Sequence, residues 1–132
     1  MTTIVKDILA IDGGHKRNCT VLTLALTAQI PHEDAFLIAK EAGRADHKGM
    51  SSACLIKSFN KKHAARIGGR FKKVKRSTIT VQKFCKLFPE GKYYIRKRGH
   101  AYAIIDGVAH NGTKVRPLER ILEAWKFCVD SE

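Results

Sequence analysis

A cysteine attacks carbonyl carbon only as its thiolate. A sulfur at a helix N-terminus or beside an imidazolium is the one most readily ionised. The chain has four cysteines, Cys19, Cys54, Cys85 and Cys128. Cys19 alone has that setting: Asn18 offers an N-cap, and an apolar helical segment runs from Cys19 to Ala28. Cys54 and Cys85 fall within apolar helical patterns, and Cys128 lies near the terminus among apolar neighbours. A small buried hydrophobe is the ordinary fate of a free cysteine, so position alone leaves Cys19 open to that reading as well.

A hairpin supplies the partners a reactive thiol needs. Asp106-Gly107 is the strongest two-residue turn signal in the chain. If Ile105 pairs with Val108 across it, Ala103 lies opposite His110 and Tyr102 opposite Asn111. Strand side chains alternate, so His100 shares a face with Tyr102 and sits diagonal to Asn111. An amide oxygen so placed can accept a ring N–H from His100 and fix its tautomer, leaving the other nitrogen for a thiol. That is the nucleophile, base and orienter logic of a Cys-His-Asn triad. His110 points to the opposite face and is a poorer base. A surface histidine after Gly99 and a turn asparagine before Gly112 are the plain alternatives, and Asp106 reads simply as the turn residue.

The elements that must position these groups follow from pattern. Asp12-Gly13-Gly14 breaks a short first element over Thr2–Ile11. The Cys19–Ala28 segment is apolar on most sides, which predicts a helix buried all round. Pro31 ends it and opens an amphipathic helix over His32–Ala42, with Gly43 as its left-handed exit. A third helix is expected over Ser51–His63. Gly68-Gly69 reads as flexible, and Phe71–Arg76 as a basic stretch. Ser77 or Thr78 caps a helix to about Phe88, and Pro89-Glu90-Gly91 turns. Lys92–Arg98, His100–Ile105 and Val108–Asn111 are strand-like. Pro117–Phe127 suits a closing helix, with a strand near Ala124–Val129 as the alternative.

The length of 132 residues suits a single domain over 1–132. The longest apolar stretch, Val21–Ile30, is interrupted by Thr23, Thr27 and Gln29 and is too short for a membrane span. The first residues lack a signal-peptide layout, so a soluble, cytoplasmic protein with reduced thiols is expected. No Cys-x-x-Cys pair occurs, and neither a metal nor a cofactor is expected. The net charge is +13, and no acidic residue occurs between Asp46 and Glu90. The basic insert at about 57–76 therefore predicts attraction to anionic partners.

Several segments together carry a family resemblance. They are Cys19-Thr-Val-Leu-Thr-Leu-Ala, then Pro31-His-Glu-Asp-Ala-Phe with Glu41-Ala-Gly-Arg, then Gly91-Lys-Tyr-Tyr-Ile. The last is Gly99-His-Ala-Tyr-Ala-Ile-Ile-Asp-Gly-Val-Ala-His-Asn. In combination they resemble small phage and bacterial papain-like proteins, similar in plan to the bacteriocin-processing peptidase domains of peptide exporters. The resemblance spans most of Asn18–Asn111. It implies an α+β papain-like fold, with a buried N-terminal helix packed on a small antiparallel sheet. It implies Cys19 as nucleophile, His100 as general base and Asn111 as orienter. Papain-like enzymes carry an oxyanion-binding Gln six residues before the cysteine, where this chain has Gly13. The Cys19 N–H, helped by Asn18 or His15, is then left to bind the oxyanion.

Two functions from different classes follow. One is a thiol hydrolase, a phage-type cysteine peptidase acting on a protein or peptide in the host cytoplasm. The other is a non-catalytic basic module binding nucleic acid or an acidic host protein. Its contacts would come from Lys61, Lys62, Arg66, Arg70, Lys72, Lys73, Lys75 and Arg76, with Phe71 as a stacking residue.

Overall fold

The computed structural model describes residues 19–42, 51–74, 79–97, 100–110 and 116–129. Asn18, His15, Gly43, Lys75, Arg76 and Asn111 lie outside the described residues, as does the segment Thr2–Ile11. Five helices and seven strands follow in chain order among the described residues. Helix α1 is Cys19–Ala28, α2 His32–Glu41, α3 Ser52–Lys62 and α4 Ala64–Ile67. Strand β1 is Gly69–Lys73 and β2 Ile79–Thr80; helix α5 is Val81–Leu87. The remaining strands are β3 Lys92–Lys97, β4 His100–Ile105, β5 Val108–His110, β6 Arg120–Ile121 and β7 Glu123–Val129.

The main sheet is antiparallel, in the order β1-β7-β3-β4-β5, and β2 pairs with β6 in a separate two-stranded piece. The arrangement is α+β, as expected. Each face of the sheet has its own core. On one, Phe71, Tyr94, Ala101, Ala103 and Trp125 pack against α1, α2 and α3. On the other, Tyr93, Ile95, Tyr102, Ile104 and Ala124 pack against Val81 and Phe84 of α5 and Ile121 of β6. Burial of β4 on both faces explains its unbroken apolar run, which carries no polar alternation.

Helix α1 is the centre of the first core. Val21, Leu24 and Thr27 are fully covered, and no described residue from Thr20 to Ala28 is exposed. A hydroxyl in such surroundings must find a partner. Thr27 Oγ1 donates back to the Thr23 carbonyl at 2.8 Å, one turn earlier. The helix ends where Gln29 takes a left-handed φ of 56° and Pro31 follows. Opposite it β4 offers Ala101 and Ala103, whose small side chains let the helix axis come close to the sheet.

Helix α3 starts on a Ser51 cap, whose Oγ accepts the Cys54 N–H at 3.4 Å. It buries Leu55, Ile56 and Phe59, while Cys54 is exposed rather than part of that apolar side. Ser52 Oγ and Tyr94 Oη lie 3.0 Å apart, a buried polar pair linking α3 to the sheet. Gly68 closes α4 in a left-handed conformation, φ 88°, and donates to the Ala64 carbonyl.

Two expectations are corrected. The stretch expected to be flexible at Gly68-Gly69 instead opens strand β1, Gly69–Lys73, at the sheet edge, paired with β7 from Gly69↔Val129 to Lys73↔Trp125. The closing helix over Pro117–Phe127 is replaced by β6 and β7; the alternative strand near Ala124–Val129 is the one that forms, as β7. Leu118, Ile121, Leu122 and Trp125 have helical spacing, yet Leu118 is 74% exposed, so the stripe buries nothing at its head. Pairing on both sides of β7, with β1 and β3, overrides the local pattern.

The Asp106-Gly107 hairpin forms as expected. Asp106 and Gly107 both have positive φ, 50° and 79°, the pair a type I′ turn requires. Asp106 also ties the turn to Gly91: its N–H donates to the Gly91 carbonyl, and its Oδ1 accepts the Gly91 N–H, both at 2.9 Å. At the other edge Asn60 of α3 holds β1. Its Nδ2 donates to the Phe71 carbonyl at 2.9 Å and its Oδ1 accepts the Phe71 N–H at 2.8 Å.

Candidate active site

His100 is the first residue of β4, half-buried, with its ring stacked on Tyr102 at 6.1 Å between centroids and 28° between planes. The two share a face, as alternation requires, and it is the face that carries α5. Three polar atoms there are buried with no hydrogen-bond partner among the described residues: His100 Nε2, Tyr102 Oη and Glu119 Oε2. The other Glu119 oxygen accepts from Lys97 Nζ. Unpartnered buried polar atoms are rare in native proteins, and here three of them stand together at the His100 ring.

Electrostatics around the ring favour its neutral form. Burial holds the His100 imidazole below the ordinary 6.5, and the Lys97 ammonium acts the same way, while the Glu119 carboxylate pulls upward. Burial, then the charge of Glu119 and then Cys85, pushes the Tyr102 hydroxyl well up, so it stays protonated. A neutral imidazole is the form a general base needs.

A pH dependence of stability follows. The unfolded chain takes up the His100 proton near 6.5, while the folded chain takes it up only at lower pH. Stability from this group is therefore complete above 6.5 and lost as pH falls through 6.5 toward the folded value. His110, also lowered by burial, adds in the same direction. Urea midpoints at about pH 7.5 and about pH 5 should differ less in His100→Gln than in the parent chain. An unchanged difference would show that His100 carries no such linkage.

The other members of the expected triad are placed as follows. Cys19 is the first residue of α1, at the N-terminal end as expected; its side chain lies outside what the structure describes. Helix α1 packs on β4, the strand that His100 opens, but on the face of Ala101 and Ala103. The His100 ring leaves the strand on the opposite face. The histidine on the α1 side of the sheet is His110, which pairs with Ala103. Two described cysteines lie on the His100 side: Cys85 of α5, which packs on the core containing Tyr102 and whose thiol burial pushes up, and Cys128 of β7, on the face of Tyr93. Sequence parity gives the shared face of His100 and Tyr102 correctly. It does not say on which side α1 lies. The small Ala101 and Ala103 are the signal that marks the helix-bearing face.

The register Ile105↔Val108, Ile104↔Ala109, Ala103↔His110 is the one the turn predicts. Its next step reaches Asn111, outside the described residues. The oxyanion candidates Asn18 and His15 lie outside them too.

The basic side chains do not form one surface. Lys61 and Lys73 border a groove between α3 and the edge of the sheet, and Lys57 joins them there. Lys62 pairs with Glu41 at 3.9 Å. Arg66 Nη2 lies 2.9 Å from His63 Nδ1. Lys72 points to the opposite side of β1 from Phe71 and Lys73, and Arg70 shares its parity. Phe71, expected as a stacking residue, is 4% exposed and belongs to the core.

Among the described residues no group of His, Cys, Asp and Glu is arranged to hold a metal ion, and no helix is long and apolar enough to cross a membrane. Comparison of the chain with protein-family models, curated proteins and solved structures returned no match.

Proposed function

We propose that the protein is a thiol hydrolase of papain-like plan, a phage-type cysteine peptidase acting on a protein substrate. One observation carries the reading: a half-buried imidazole held neutral, its Nε2 without a hydrogen-bond partner among the described residues, stands at the head of the strand against which the Cys19 helix packs. In this reading His100 takes the Cys19 proton as sulfur bonds to the substrate carbonyl carbon. The tetrahedral adduct collapses, its C–N bond breaks, and His100 returns the proton to the leaving amine. Water then adds to the thioester with His100 again as base. The acid product leaves and the thiol is restored. The resemblance implies Asn111 as the orienter; a register continued past His110 would set it opposite Tyr102, so it would have to change face together with His100. The reading requires the chain at the head of β4 to turn and bring the imidazole to the α1 side, since a rotamer change alone leaves the His100 Cβ on the α5 face.

A second reading, a non-catalytic basic module, is favoured by the face on which His100 leaves the strand.

Alkylation separates the two. At about pH 5.5 an ordinary thiol of pKa near 8.5 is only about one part in a thousand thiolate. Iodoacetamide at that pH, followed by peptide mapping, should modify Cys19 well ahead of the exposed Cys54. His100→Ala should remove that lead and His110→Ala should keep it. Equal slow labelling of all four cysteines, or first labelling at Cys54 or Cys85, would remove the hydrolase reading. Loss of the lead in His110→Ala alone would overturn the assignment of the base.

A further inference from the structure

The groove between α3 and the β1–β7 edge has a volume of ≈ 570 Å3. Its floor is apolar, built from Ile56, Phe71 and Trp125; its rim carries Lys57, Lys61 and Lys73. Lys73 already has partners: its Nζ lies 2.7 Å from Glu123 Oε2 and 5.8 Å from the Trp125 ring centroid. Lys57 and Lys61 are different. They are four residues apart on α3, exposed, and face the same groove, with no carboxylate paired to either among the described residues. Like charges at this spacing repel and are mildly destabilising on a helix. Two unneutralised ammonium groups thus stand over an apolar floor.

We infer that this groove docks an acidic peptide segment of another protein, with an apolar side chain on the floor and carboxylates on Lys57 and Lys61. The inference deepens the basic-module reading by naming the groove and the partner's chemistry, and it holds whether or not Cys19 turns over a substrate. Charge complementarity selects an anionic partner. The floor then decides which kind. Nucleic acid without duplex structure binds basic grooves by stacking bases on ring faces. Here Phe71 is 4% and Trp125 5% exposed, so neither offers a face. The Glu123 carboxylate also borders the groove and would repel a phosphate chain. An aliphatic or aromatic peptide side chain needs only the apolar depression, and carboxylates at its flanks meet the lysines. The lysine stems cover part of that floor and add apolar contact.

The test is fluorescence anisotropy on the full chain with three labelled probes. The first is a heptapeptide of glutamates around a central Leu-Phe pair, the second an all-glutamate heptapeptide, the third an oligothymidylate. The first should bind most tightly. Lys57→Glu with Lys61→Glu should weaken it by at least about tenfold, and more at low than at high salt. The charge-matched control, Lys72→Glu with Lys126→Glu, lies on the other side of the sheet and should change it by less than about threefold. Should the glutamate variant fold poorly, Lys57→Gln with Lys61→Gln gives the same comparison, with a smaller loss in the same direction. Equal losses in groove and control variants would overturn the inference. So would tighter binding of oligothymidylate, or an all-glutamate peptide that binds as well as the anchored one.

Discussion

Cys19→Ala is expected to lower hydrolysis of a protein substrate by a factor of about 10⁴ or more, with the thermal midpoint nearly unmoved. Removing the nucleophile of a catalytic triad leaves only what substrate binding and oxyanion contacts supply. The change deletes one sulfur from the first residue of α1, so loss of fold is not the cause of lost activity. The assay is mass-spectrometric detection of new termini in a pool of unstructured proteins incubated with the parent chain and the variant. His100→Ala should fall by a comparable factor, and the double variant should fall little further, because the two act as a unit. Cleavage that survives Cys19→Ala would assign the chemistry to another group. Absence of cleavage by the parent chain would leave the basic module as the surviving reading.

The largest expected effect on stability lies at Phe59. This ring is fully buried and meets Phe71 at 5.3 Å and Phe127 at 6.2 Å edge-on, and the tilted His63 ring at 6.3 Å, between centroids. Phe71 and Phe127 also pack on each other at 5.1 Å, across the β1–β7 pair. Phe59 thus seats α3 on strands whose pairing sequence pattern did not reveal. Phe59→Ala removes the transfer energy of the ring and leaves a cavity that rigid strands cannot close. The expected cost is about 3–5 kcal/mol, a large part of the roughly 5–15 kcal/mol that holds a small domain folded. Leu37, 57% exposed on α2, is the control: Leu37→Ala should change stability by no more than about 0.5 kcal/mol. Urea denaturation of the two variants decides between them, and similar midpoints would show that the aromatic cluster does not anchor α3.

The sequence makes α1, α2, α3 and the β3–β4–β5 meander legible for local reasons. Their signals are short-range: an apolar segment ended by Pro31, a Ser51 cap, an Asp106-Gly107 turn. Strand β1 is not legible, and β7 only as the alternative to a helix, because their determinant is pairing between residues some fifty positions apart, such as Lys73 with Trp125. An edge strand carrying Arg70, Lys72 and Lys73 has the composition of a loop, since charge is what exposed edges use. The alternation of Trp125, Phe127 and Val129 was the usable hint for β7. The candidate site shows the same division. Register and parity placed His100 with Tyr102, but the side taken by α1 is a tertiary fact, hinted at only by the small Ala101 and Ala103. The unneutralised pair Lys57 and Lys61 was likewise hidden within a longer basic run, until the fold separated Lys62, Arg66 and Lys72 from it.

The two bonds from Asn60 to Phe71 bear on how copies of this chain avoid one another. An amide side chain there occupies the outward N–H and C=O in the middle of β1, the positions an incoming sixth strand would need. The molecule carries its own plug against sheet extension, set among lysines that repel a neighbour. Neutralising those lysines would not by itself open the border; the asparagine would still block it. Losing the asparagine would leave a ready template for strand-by-strand growth into fibrous assemblies.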